Sequence, residues 1–176
     1  MRATVETGVD GGLRFDYRLR ANSADLLIPP PAPARHTDFL WQHTCFEAFL
    51  AVEGEPGYRE FNFSPSGAWA MYAFARYRIP LEPTVSVRGD PSIRSGWAQG
   101  ELLLSALISP ADLPPRRDGA ALELGLCAVI EEADGKLSYW ALRHHPDRPD
   151  FHARDGLALR LPAETLRYTE QREATS

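Results

Sequence analysis

Apolar and polar residues alternate through most of the chain. In LRFDYRLR, Leu13, Phe15, Tyr17 and Leu19 fall on one side and Arg14, Asp16, Arg18 and Arg20 on the other. A period of two predicts a strand with one buried and one solvated face. TCFEAFLAV and YREFNFSP predict two more strands, and EGEPG joins them as a hairpin-type connection. AWAMYAFARY predicts another strand, with a short helix as its rival because of its alanines. TVSVRG predicts a short strand, and GELLLSALIS is apolar enough for a buried one. AALELGLCAVIEE and LSYWALR form a second predicted hairpin around Asp134-Gly135, a strong tight-turn dipeptide. The best helical candidate is a single turn in SPADLP, with Ser109 as its cap.

Fifteen prolines and thirteen glycines punctuate these runs. IPPPAPARHT is a proline-rich loop, because proline lacks the N–H that a central strand needs. Short strands between such turn signals predict an all-β fold of about ten strands, a sandwich or barrel. No internal repeat is present. The 176 residues fit one domain, 1–176, with a polar tail frayed from about Thr169.

The TCFEAFLAV–YREFNFSP hairpin carries the chemistry. Cys45, Glu47, Phe49 and Ala51 share one face of its first strand, and Phe46, Ala48, Leu50 and Val52 the other. On the second strand Tyr58, Glu60, Asn62 and Ser64 oppose Arg59, Phe61 and Phe63. The register that groups Glu47, Glu60 and Asn62 leaves Phe46, Leu50, Phe61 and Phe63 as a clean core, whereas a one-residue slip mixes phenylalanines with carboxylates on both faces. The segregated register is expected. The polar face then either meets water, as on any one-sided antiparallel sheet, or lines a site with Trp41 as a flat wall. Carboxylate and amide groups beside an aromatic plane are what a polar ligand such as a sugar requires.

Composition narrows the function classes. A net charge of -5 and a pI of about 5.5 argue against a nucleic-acid partner and an anionic membrane surface. The start lacks an apolar signal segment and no stretch is long enough to span a bilayer, so a soluble, cytoplasmic protein is expected. Cys45 and Cys127 read as buried free thiols, with a bridge between adjacent strands as the alternative. RHHPDRPDFH gathers His144, His145, Asp147, Asp150 and His152, but its spacing fits no standard zinc pattern. His152 and Asp150 are expected to fasten the loop that leads into the last strand, with no metal and no cofactor. Cys45 with His43 could meet on one strand face but lacks a nucleophile elbow. Glu47 with Glu60 could form a glycosidase-type acid/base pair, although two carboxylates on a sheet are more often solvated.

FEAFL, YREFNFSPSGAWAMYAF, and YWALRHHPDRPDFH before GLALRL together resemble the DOMON-like superfamily. That superfamily includes the family 9 carbohydrate-binding modules, the haem- or sugar-binding DOMON domains and bacterial stand-alone domains of this type. The resemblance spans roughly Leu13 to Leu161. It implies a two-sheet antiparallel β-sandwich, immunoglobulin-like in architecture, that binds a saccharide without catalysis. By position, Trp41 would stack on the ligand, and Glu47 and Asn62 would hydrogen-bond it. Glu60 would join the polar face, with Trp140 and Arg143 in support. A second stacking tryptophan is implied, with Trp140 and Trp69 as candidates and Trp97 as an outsider. The haem-binding alternative implies a methionine and a histidine as axial ligands, and the surroundings of Met71 do not resemble that motif. A protein-interaction domain using edge strands is the remaining alternative. The ligand's identity and the oligomeric state are left open.

Overall fold

A computed structural model describes residues 1–82 and 89–163. The strands are β1 (Arg2–Thr7), β2 (Leu13–Arg20), β3 (Cys45–Val52), β4 (Tyr58–Phe63), β5 (Trp69–Arg76), β6 (Ile79–Pro80), β7 (Ser92–Ala98), β8 (Glu101–Ile108), β9 (Leu122–Glu131), β10 (Leu137–Ala141) and β11 (Leu159–Leu161). They form two antiparallel sheets, the smaller in the order β1-β2-β8-β7. The larger runs β10-β9-β3-β4-β5-β6, with β11 also paired to β9. The fold is a β-sandwich, as the alternation predicts.

The core lies between the sheets. β2 and β8 contribute Leu13, Phe15, Tyr17, Leu102 and Leu104; the large sheet answers with Phe46, Leu50, Phe61, Phe63 and Leu124. Phe15 meets Phe63 with ring centroids 5.9 Å apart, and Tyr17 meets Phe46 at 5.0 Å. Each such fully buried side chain contributes roughly 1.5–3 kcal/mol from burial alone. Tyr17 is the polar member of this layer, and its hydroxyl donates to the Glu47 carbonyl across the core at 2.8 Å.

Local expectations meet the structure in detail. AWAMYAFARY is a strand, since its backbone is taken up by pairing with β4 from Tyr58–Phe74 to Phe63–Trp69. The β9–β10 hairpin turns at Gly135, whose φ of 82° is the left-handed conformation a tight turn demands. Ser109 caps a single 3-10 turn, its Oγ accepting from the Ala111 N–H at 3.2 Å. Cys45 and Cys127 are free: Cys45 lies opposite Val129, and Cys127 opposite Glu47. β1 and β7 escape the sequence pattern because both are edge strands with little buried surface. The TVSVRG strand and the frayed tail fall on or beside residues outside those described. Among the described residues, no helix is long and apolar enough to cross a membrane.

Candidate functional site

The outer face of the large sheet carries the polar residues. β3 pairs β4 with Glu47 opposite Asn62 and Phe49 opposite Glu60, the segregated register. β5 adds Tyr72 opposite Glu60 and Phe74 opposite Tyr58, while β10 adds Tyr139 opposite Val129. This face is not wet. Glu47 is 3% exposed, Glu60 5% and Asn62 0%.

The segment between β10 and β11 covers part of the face. It closes over Phe49, Ala51, Tyr58 and Cys127, and brings Phe151 and Leu157 against them. Close approach needs a glycine beneath it: a Cβ on Gly125 would sit 3.1 Å from Leu157 Cδ2 and 3.2 Å from the Gly156 carbonyl. Arg154 holds the segment down by donating to the carbonyls of Glu55 at 2.9 Å and Val52 at 3.1 Å, and by pairing with Glu123. Beside this apolar patch the cover stops short, leaving a cavity of about 480 Å³. Trp41 and Gln42 border it from the 3-10 turn Leu40–Gln42, and Pro149, Phe151 and His152 from the covering segment. Glu47, Glu60 and Tyr72 rise from the sheet below.

The polar groups around the cavity form a chain of contacts with one gap. The Asn62 side-chain amide donates to Glu60 Oε1 at 2.7 Å, and its carbonyl faces the Cys45 thiol at 3.6 Å. Tyr58 Oη lies 2.8 Å from His152 Nδ1 and accepts the Arg78 backbone N–H at 3.1 Å. With the phenol proton on that bond, a neutral His152 carries its own proton on Nε2, which faces Glu60 Oε2 at 3.7 Å. Asp150 accepts from Tyr77 Oη at 2.6 Å and Arg78 Nη2 at 2.8 Å. Arg78 reaches this position from a left-handed backbone, φ 53°, that few side chains other than glycine adopt. The gap is Glu47: its Oε1 is buried and has no hydrogen-bond partner.

Burial dominates the electrostatics. It pushes the Glu47 carboxyl well above the usual carboxylate range, and the neighbouring Glu60 charge pushes it further. Burial also raises Glu60, to about 7, against the opposing pull of the Asn62 hydrogen bond and the Arg78 charge. His152 falls to about 4, from burial first and then from Arg78. Burial would raise Asp150 too, but the hydrogen bonds from Tyr77 and Arg78 outweigh it and hold this carboxyl below its ordinary value. Both cysteine thiols are pushed up, by burial and then by Glu47.

The structure brings Trp41, Glu47 and Glu60 to one cavity. Trp41 meets Tyr72 edge-on at 5.8 Å. Asn62 lies beneath, holding Glu60 rather than bordering the space. Trp140 and Arg143 do not join them. Trp140 sits opposite Ala128, which belongs to the inter-sheet core side, so the period of two points it away from the Glu47 face and presents Tyr139 instead. Its indole N–H reaches Ser138 Oγ at 3.3 Å. Arg143 donates to the Asp155 carbonyl at 3.4 Å, within the covering segment. Trp69 is buried in the core opposite Phe63, and Trp97 lies on β7 in the other sheet. His43 pairs with Glu131 rather than Cys45. Asp150 and His152 do make fastening contacts, and His152 also borders the cavity. Tyr72 and Tyr139 follow from strand alternation once the pairing is known, whereas nothing local in the sequence marks Arg78 or Phe151.

No family model matches the chain, and no curated protein matches it. Among solved structures it is similar to a proposed carbohydrate-binding protein from Bacteroides uniformis, with a TM-score of 0.57 and 18% identity. The match covers 81% of this chain and 69% of that one. At that identity the likeness speaks for the sandwich fold.

Proposed function

We propose that the cavity on the outer face of the large sheet binds a saccharide or glycan fragment without transforming it. The observation that carries this reading is the Glu47 carboxyl, which borders a cavity shared with Trp41, Tyr72, Phe74 and Tyr139 and whose buried Oε1 has no hydrogen-bond partner. A hydroxyl of a bound sugar would hydrogen-bond that carboxyl group, and the aromatic walls would take the C–H faces of the ring. Its volume falls in the range of small-ligand sites, which run from roughly 300 to 1,000 Å³. The carbohydrate-related name of the similar Bacteroides structure and the DOMON-like resemblance of Trp41 and Glu47 support the same reading.

The test is isothermal titration calorimetry against a panel of mono- and disaccharides. The parent protein is expected to bind at least one with modest affinity, roughly micromolar to millimolar, since one open site must offset the ordering of its ligand. Trp41→Ala should weaken that binding by about tenfold or more, which corresponds to about 1.4 kcal/mol. The reading fails if no sugar binds, or if Trp41→Ala binds as the parent does.

A further inference from the structure

We infer that the preferred saccharide is an amino sugar, with its ammonium group seated against Glu47. This inference rests on the saccharide reading above and names the ligand's chemistry within it.

Charge accounting leads there. Two carboxylates, Glu47 and Glu60, border the cavity among its described residues, and Arg78 is the cation beside them. Arg78 is already committed, its Nη2 donating to Asp150 at 2.8 Å. Asp150 takes up hydrogen bonding of the guanidinium, whose charge still reaches Glu60, while no cation acts on Glu47 from the described residues bordering the cavity. The two carboxylates differ in what they still need. Glu60 Oε1 accepts from Asn62 at 2.7 Å, and its Oε2 faces His152. Glu47 Oε1 has no partner.

A buried polar atom without a partner is destabilising, and a buried carboxylate without a counter-charge more so. A neutral hydroxyl would supply Glu47 with a donor only. An ammonium supplies a donor and the missing charge together, and charge-assisted hydrogen bonds are roughly twice as strong as neutral ones. The walls favour the same ligand. Trp41, Tyr72, Phe74, Tyr139 and Phe151 border the cavity, and aromatic rings attract cations that have left bulk water. Burial, and then the Glu60 charge, hold the Glu47 carboxyl well above its ordinary range, and an ammonium beside it would draw it back toward the charged form.

The test compares D-glucosamine, N-acetyl-D-glucosamine and D-glucose by calorimetry near neutral pH, with the folded state checked by circular dichroism. D-glucosamine is expected to bind the parent at least about tenfold more tightly than D-glucose. N-acetyl-D-glucosamine, with its amine capped, should lose that advantage. Glu47→Gln, which keeps the shape but not the charge, should bring the glucosamine-to-glucose ratio to within about twofold. If Glu47→Gln does not fold, Glu60→Gln removes the other charge and should reduce the ratio in the same direction. Glucose binding as tightly as glucosamine overturns this inference and leaves the saccharide reading standing. A ratio preserved when the carboxylates are removed also overturns it. Absence of binding by all three sugars and by the wider panel overturns both.

Discussion

Glu60→Gln measures what the buried carboxylate pair does to the fold. Glu60 sits at about 7 in the folded protein, against an ordinary 4.5. Between those values the native state holds a proton that the unfolded chain has released. Linkage makes the unfolding free energy fall with pH wherever the native state binds more protons. The contribution of Glu60 is therefore fully present below the unfolded value and is lost as pH rises to about 7. That span corresponds to roughly 3 kcal/mol. His152 works in the opposite sense. Its value drops from 6.5 to about 4, so the unfolded chain binds the extra proton and stability rises with pH across that window. In the parent protein the Glu60 and His152 slopes partly cancel while the raised Glu47 adds a falling slope of its own, so a single pH–stability curve would not separate them.

Subtraction separates them. Glutamine matches glutamate in shape, does not titrate, and can still accept from the Asn62 amide. It also lifts the Glu60 charge from Glu47, which adds stability in the same direction. Urea unfolding of parent and variant should give nearly equal free energies near the ordinary glutamate value. Above about pH 7 the variant should be the more stable by roughly 2–3 kcal/mol. Two curves that run parallel across the whole range would refute the reasoning, because a constant offset cannot come from a titrating group.

The remaining predictions concern the cover and the core. Tyr58→Phe leaves His152 Nδ1 and the Arg78 N–H without the hydroxyl they share, and should cost about 1–3 kcal/mol in urea unfolding. Phe61→Ala opens a hole beneath the stacked Phe61 and Phe63 rings and should cost about 3–5 kcal/mol, seen as a lower midpoint in thermal unfolding.

Strand alternation carried much of this molecule. The register of β3 against β4 could be chosen because a slip would have buried Glu47 and Glu60 among phenylalanines, and that choice put Glu47, Glu60 and Asn62 on one face. It could not say whether the face was covered. The cover comes from a segment whose contacts with the β3–β4 hairpin span 94 to 102 residues of sequence. Its docking depends on the missing side chain of Gly125 and on Arg154 reaching the Val52 and Glu55 carbonyls, long-range contacts without a local pattern. Trp140 was misjudged for a related reason. Residue type favoured tryptophan as a wall, but the parity of β10 against β9 turns Tyr139 toward the cavity instead. Arg78 stands at a tight reversal with φ positive, where neither propensity nor hydrophobic pattern marks it.

Where the polarity lies argues for a ligand rather than for a structural role. The covering segment needs an apolar floor, and it has one in Phe49, Ala51, Tyr58 and Cys127. Glu47 and Glu60 are not required for that contact, and burying them costs stability at neutral pH. They lie where the cover stops and the cavity begins, on the same sheet face and within a residue or two of the apolar floor. A sheet that only had to hold down a loop would be more stable with the apolar pattern continued through those two positions. Departures from the otherwise consistent pattern of a fold concentrate at functional sites. Here the departure coincides with the cavity, a carboxyl oxygen without a hydrogen-bond partner and a border of aromatic residues, the features on which the proposed saccharide site rests.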